Sequence, residues 1–368
     1  MDVPYFDLKA QYRGIREEIL AALDTACQSA SFILGAEVAE FEREFAAYCQ
    51  VKHCVALNSG TSALHLALLA AGVGPGDEVI TTPNTFIATA EAISYTGARP
   101  IFVDIEPATA NIDPSRIGGA ITARTKAIVP VHLYGRPADL DSIVKIAEDH
   151  GLAVIEDACQ AHGAHWRDTR VGGFGLAATF SFYPSKNLAA YGEGGALTTN
   201  DDRVADLARA LRDHGQSGRY YHDRPGYNYR MDTFQGAVLR VKLKRLDQWT
   251  SRRLEIARRY RERLAGTSVG VPTDDARGAS VYHLFVVYVD ARDTVRAALE
   301  ARGVHTAIHY PVPVHLQKAY ESLGYGRGSF PHTEFAADRV ISMPIFPEMT
   351  DEQVEYAASS LVAVTAPR

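Results

Sequence analysis

Between residues 53 and 158 the chain alternates short β-branched runs with helical runs, and the links between them are short. HCVAL reads as a strand and NSGTSALHLALLAAG as a turn entering an almost wholly apolar helix. DEVIT, RPIFVDI, TKAIVPVHL and LAVIEDA read as further strands, with NTFIATAEAISYTG and ADLDSIVKIAEDHG as helices among them. Strands joined through helices run parallel, and a parallel sheet needs both faces covered. The expected class is therefore α/β, with a mostly parallel sheet flanked by helices. The strand order is not encoded in this pattern.

The flanks differ. IREEILAALDTAC and EVAEFEREFAAYC place apolar residues at helical spacing before the first strand. After Thr198 the pattern is helical again, in DDRVADLARALRDHG and in one long run, TFQGAVLRVKLKRLDQWTSRRLEIARRYRERLAG, which is expected to bend. VYHLFVVYV and VHTAIHYP then read as strands, and RDTVRAALEARG and TDEQVEYAASSLVAV as helices. A large domain over 1–248, including the N-terminal helices, and a small α+β domain over 249–368 are expected.

With 368 residues and a formal charge of −6, the chain can bury a large core and carries no basic block for nucleic acid. The arginines between residues 252 and 263 are interleaved with Glu255 and Glu262, as on a solvated helix face. Four cysteines occur without a C-x-x-C pair, so no metal site is expected. No apolar run approaches a membrane span, and MDVPYFDLKAQY does not read as a signal peptide. The expected location is the cytoplasm.

In parallel α/β sheets, ligands collect beyond the carboxyl ends of the strands. After HCVAL, Asn58–Ser62 opens a helix, whose free N–H groups can hold an anion or simply be capped by Ser or Thr. There is no G-x-x-x-x-G-K-[ST], and Gly72, Gly74 and Gly76 follow a helix rather than a strand. After LAVI, Asp157 leaves a strand in apolar company and needs a cation or donors. His162 and His165 lack partners at ligand spacing.

Eight lysines stand against thirty arginines. Lys145, Lys242, Lys244 and Lys318 fall on expected helix surfaces, whereas Lys186 sits in FSFYPSKNLAAYGEGGAL among aromatic residues and glycines. Burial there favours a neutral amine, which can bond a carbonyl carbon. An anion cup, a carboxylate at a strand end and a sequestered lysine are the three things pyridoxal 5'-phosphate requires.

NSGTSAL, TPNTFIATAEA, VHLYG, IEDACQAHGA, FSFYPSKNL, GEGGAL and GYNYRM together resemble the DegT/DnrJ-type nucleotide-sugar aminotransferases, from FDLKAQY to the end of the chain. The resemblance implies the type I fold of pyridoxal phosphate enzymes, with a seven-stranded sheet. It implies that Lys186 binds the cofactor covalently and later shuttles a proton, and that Asp157 pairs with the ring nitrogen. Gly60, Thr61 and Ser181 would hold the phosphate, Phe86 would stack on the ring, and Gln160 would sit near the phenolic oxygen. Asn228 would reach the cofactor of a neighbouring subunit, which implies a homodimer with shared sites.

IHYPVPVHLQKAY resembles the members that aminate the sugar 3-position, and makes Tyr183, His309 and Tyr310 candidates for substrate contact. The implied reaction moves an amino group from L-glutamate, through pyridoxamine 5'-phosphate, to a dTDP-3-keto-6-deoxyhexose or UDP-3-keto sugar. The product would feed polysaccharide, lipopolysaccharide or decorated-metabolite synthesis. A 4-keto-sugar aminotransferase and a non-catalytic cofactor-binding regulator are the alternatives. The presence of Lys186, which dehydratase relatives replace by histidine, speaks against dehydration.

Overall fold

The computed structural model describes residues 1–366. Its centre is a seven-stranded sheet of β1 (His53–Leu57), β2 (Glu78–Thr81), β3 (Arg99–Phe102), β4 (Thr125–Ile128), β5 (Ala153–Asp157), β6 (Ala177–Ser181) and β7 (Gly195–Thr199). The spatial order is β1-β7-β6-β5-β4-β2-β3. Neighbours run parallel except around β7, which is antiparallel to both β1 and β6. The expected α/β class is therefore present. The strands β6 and β7 do not stand out from the runs around them: AATFS and GALTT are short, and one partner of β7, β1, lies more than a hundred residues away.

Both faces of the sheet are buried. Phe41 and Phe45, from α2 (Gly35–Cys49), pack edge-on to Phe180 and Phe182 on one face. Val55, Leu57, Ile155 and Leu197 meet α3 (Gly60–Ala70) on the other. That burial explains why the helix in NSGTSALHLALLAAG is apolar almost all round.

A second core forms around the helix Leu246–Leu264. It packs against the antiparallel pair β8 (Phe285–Tyr288) and β9 (Val340–Met343) and the last helix, Asp351–Thr365. The first residues of the chain belong here too. Val3 is fully buried in this core and bridges Val304 in parallel. Among the described residues no helix is long and apolar enough to cross a membrane.

One expectation, the bend in the long helical run, is met as a break, and two others change. The long helical run breaks at Lys244–Arg245 into Thr233–Leu243 and Leu246–Leu264. VHTAIHYP forms no strand; its backbone pairs with β9 at the Ala307–Ser342 bridge, and prolines follow. Lys242, expected on a surface, is 1% exposed, because its helix packs against both α2 and α1 (Leu8–Ser29). Its ammonium lies 4.1 Å from the centre of the Tyr191 ring, and burial pushes its pKa down to about 7.

A lysine depressed in the folded state takes up fewer protons than the unfolded chain between about pH 7 and the ordinary lysine range. Stability contributed by this group therefore rises with pH across that window. Lys242→Met should raise the denaturant midpoint at pH 7, and the gain should shrink as pH approaches 10. A gain independent of pH would show that packing alone is responsible.

Candidate active site

Three strand ends meet at one point. Gly195, the first residue of β7, pairs with Leu57 at the end of β1 and with Ser181 at the end of β6. A Cβ on Gly195 would lie 2.2 Å from the Ser59 carbonyl carbon, so only glycine lets β7 pass the start of α3 this closely. A Cβ on Gly60 would lie 2.8 Å from both Ser181 Cβ and Cys159 Sγ.

The start of α3 forms a cup. Ser59 caps the helix, its hydroxyl accepting from the Ser62 N–H at 3.0 Å, while the Ser62 hydroxyl donates to Asn58 Oδ1. The hydroxyl of Ser62 is thus committed to the cap. Among the described residues the N–H groups of Gly60 and Thr61 and the Thr61 hydroxyl have no protein partner, and both residues line a cavity of about 500 Å³ together with Ser181. Free N–H groups at the positive end of a helix suit a phosphate.

Asp157 ends β5 in the wall of this cavity and is 4% exposed. Its Oδ2 accepts from the Thr89 hydroxyl at 2.7 Å, and its Oδ1 from the Cys159 N–H at 3.2 Å. Thr89 is in turn paired with Thr85, 2.8 Å away. These donors fix the direction of the carboxylate. Thr89 escaped the sequence reading because nothing local distinguishes it within α4 (Ala88–Tyr95).

Lys186 occupies a loop closed by backbone bonds. Phe182 N–H donates to Gly194 O, Ala190 N–H to Phe182 O, and Lys186 N–H to Tyr183 O. The loop leaves the sheet beside the cup and holds Lys186 in the cavity wall. Burial pushes the Lys186 amine below the ordinary lysine range, although Cys159 and Asp157 pull it back up. The ammonium makes no ion pair among the described residues.

Phe86 lies in the turn before α4 rather than on the helix, is 54% exposed, and faces the same cavity. Its ring centre is 5.8 Å from that of Tyr310. Gln160 is buried; its Oε1 accepts from the Tyr134 N–H and its Nε2 donates to the Tyr310 hydroxyl. One Nε2 hydrogen remains for a ligand. Tyr134 also donates its hydroxyl to the His309 carbonyl, so two side chains position the 309–310 segment. His309 lies 2.8 Å from the Ser342 hydroxyl through Nδ1 and stacks on Tyr5; burial lowers its pKa to about 4. Tyr183 is exposed at the cavity mouth.

Asn228 stands apart. It is exposed, accepts from Arg230, and does not line the cavity of its own chain. Tyr5 and His283 were missed by sequence reasoning, since the N-terminal segment and the second core reach the cavity only through tertiary packing.

The sequence matches the profile of the DegT/DnrJ/EryC1/StrS aminotransferase family over residues 13–362. The chain belongs to that family. It is 46% identical to the dTDP-3-amino-3,4,6-trideoxy-alpha-D-glucose transaminase of Streptomyces venezuelae, over 95% of this chain and 93% of the relative. It is 44% identical to the UDP-N-acetyl-3-dehydro-alpha-D-glucosamine 3-aminotransferase of Acidithiobacillus ferrooxidans, over 97% and 96%. The crystal structure of S. venezuelae DesV in complex with a ketimine intermediate superimposes with a TM-score of 0.98 at 44% identity, covering 100% of this chain and 99% of that one. Membership makes the chain a pyridoxal-phosphate-dependent transaminase. The cavity suits that cofactor: the cup has free donors, Gly60 and Gly195 leave room beside it, and a carboxylate and a lysine line the same space.

Proposed function

We propose that this family member transfers an amino group from L-glutamate to the 3-position of a nucleotide-linked keto-sugar, a dTDP-3-keto-6-deoxyhexose or a UDP-3-keto sugar. The observation that carries this reading is a cavity offering cup, carboxylate and lysine in a chain so similar to transaminases named for 3-amino sugars. Pyridoxal phosphate, when bound, supplies a ring that stores the electrons released when a C–H bond beside nitrogen breaks.

The protein residues do the rest. Gly60, Thr61 and Ser181 hold the phosphate, and Phe86 covers one face of the ring. Asp157 would keep the ring nitrogen protonated, and the free N–H of Gln160 would be available to the phenolic oxygen. Lys186 would bond the cofactor, and its free amine would hold and move a proton on Nζ. Tyr183, His309 and Tyr310 contact sugar or diphosphate at the mouth of the cavity. Asn228, exposed and outside its own cavity, reaches the cofactor phosphate of a second copy in a homodimer. The protein works in the cytoplasm, with a large domain over 1–248 and a small one over 249–368.

Offering the pyridoxamine form a panel of 3-keto and 4-keto sugars on dTDP and UDP tests the substrate assignment. Mass analysis should find a newly gained amino group only on the sugars offered as 3-keto substrates. Amination of 4-keto sugars alone would overturn the position. Asp157→Asn should keep the fold and slow turnover by roughly 10²–10³-fold, the scale of losing one aimed electrostatic group. Undiminished kcat in that variant would remove Asp157 from the chemistry.

A further inference from the structure

The cavity wall holds two carboxylates, and the fold treats them differently. Glu193 is exposed and accepts no hydrogen bond among the described residues. Asp157 is buried, and both of its oxygens are taken, Oδ2 by the Thr89 hydroxyl at 2.7 Å and Oδ1 by the Cys159 N–H at 3.2 Å. The one hydrogen of the Thr89 hydroxyl is thus committed to Asp157. In the 2.8 Å contact between the Thr85 and Thr89 hydroxyls, Thr85 must therefore be the donor. Donation runs from Thr85 to Thr89 to Asp157, and all three side chains are buried. Thr89 has a second tie. Its N–H donates to the Phe86 carbonyl at 3.2 Å. A side-chain bond and a backbone bond thus close residues 85–89 into one turn, and Phe86 faces the cavity from inside it.

We propose that Thr89 is a positioning residue that fixes Asp157 and Phe86 relative to one another, with Thr85 acting through it. The proposal rests on the reading that Asp157 meets the nitrogen of the cofactor ring and Phe86 covers its face. A flat ring held at one edge and on one face keeps a constant tilt only if those two contacts keep a constant separation. Asp157 ends β5, whereas Phe86 precedes α4, and among the described residues the Thr89 hydroxyl makes the only hydrogen bond from that turn to the carboxylate. A hydroxyl bonded to a carboxylate is held more strongly than one bonded to a neutral acceptor. Donation from Thr85 polarises the Thr89 hydroxyl and strengthens that bond further. The Cys159 N–H belongs to the backbone after β5 and holds Oδ1 whatever happens in α4. Loss of the Thr89 hydroxyl would therefore leave Asp157 in place but free to turn about Oδ1, and would uncouple it from the turn that carries Phe86.

The test uses full-length enzyme freed of cofactor and titrated with pyridoxamine 5'-phosphate, which binds without a bond to Lys186. Affinity is read by quenching of protein fluorescence, and ring tilt by the circular dichroism of the cofactor band at saturation. Thr89→Val keeps the shape and the backbone bond to Phe86 but removes the hydroxyl. It should weaken binding about tenfold, equivalent to about 1.4 kcal/mol, and change the dichroism per bound cofactor. Thr89→Ser, which keeps the hydroxyl, should restore both. Thr85→Val should weaken binding about threefold alone and add nothing in the Thr89→Val background, because it acts only through Thr89. A role limited to fold stability would lower the melting temperature and leave the dichroism at saturation unchanged. Wild-type dichroism in Thr89→Val overturns the proposal, as do additive losses from the two valine substitutions. If Thr89→Val does not fold, the dichroism of Thr85→Val decides in the same way. Asp157→Ala tests the underlying reading separately: wild-type affinity in that variant would remove Asp157 from the ring nitrogen, whatever the threonines do.

Discussion

Lys186→Ala should be colourless at the wavelength where the wild type absorbs, and should turn over at least about 10⁴-fold more slowly. The substitution removes two functions at once, the covalent attachment and the proton carrier, and general acid–base catalysis alone accounts for roughly 10²–10⁴-fold. No other lysine can substitute. Lys242, also withdrawn from solvent, lies on a helix behind Tyr191 and does not line the cavity. The fold should be unaffected, since the loop around Lys186 is closed by backbone bonds from Phe182, Lys186 and Ala190 rather than by the lysine side chain. Absorbance spectra and single-turnover rates with glutamate would check both parts. A yellow Lys186→Ala variant that still exchanges amino groups at the normal rate would refute the assignment.

Gly195→Ala should be nearly as damaging, for a reason unrelated to chemistry. The added Cβ would lie 2.2 Å from Ser59 C, 2.3 Å from Ser59 O and 2.5 Å from Gly60 N. All three are backbone atoms at the start of α3, so no side chain can swing aside. Either β7 leaves its register or the cup opens. Overpacking of this kind typically costs about 1–3 kcal/mol in stability. The displaced cup should weaken pyridoxal phosphate binding roughly 100-fold, equivalent to about 2.7 kcal/mol. Gly74→Ala is the control: nothing lies within 4 Å of its Cβ position, and both stability and affinity should stay near wild type. Cofactor titration followed by absorbance, with thermal melts of the cofactor-free chain, would separate the two effects. Unaltered affinity in Gly195→Ala would mean that the cup does not hold the phosphate.

The α/β class was legible because a strand buried on both faces and a helix packed on a sheet impose different apolar periods. Lys186 and Asp157 were legible because apolar surroundings make a charged residue conspicuous. The order of the sheet was not, since β7 inserts between β1 and β6 through pairings over more than a hundred residues on one side. Lys242 was misplaced because its helix alone looks amphipathic enough to face solvent, and only the packing of α1 and α2 buries it. Thr89, Tyr134 and His283 could not be read at all. Thr89 orients Asp157, 68 positions away, Tyr134 orients the 309–310 segment, 175 positions away, and His283 is itself held by Asn187, 96 positions away.

The bridge between Val3 and Val304 also sets an order of events at the ribosome. Val3 N–H donates to Gly303 O, and the His305 N–H donates to Val3 O, so both partners of the first residues lie some three hundred positions downstream. At roughly 5–20 residues per second, the N-terminal segment waits about 15–60 seconds for them. Until then Tyr5 has no His309 to stack on. The seven-stranded sheet, complete by Thr199, can form well before that. The nascent chain thus acquires its cofactor cup early and the far wall of its cavity late, and a bulky N-terminal fusion would obstruct the last closure rather than the first.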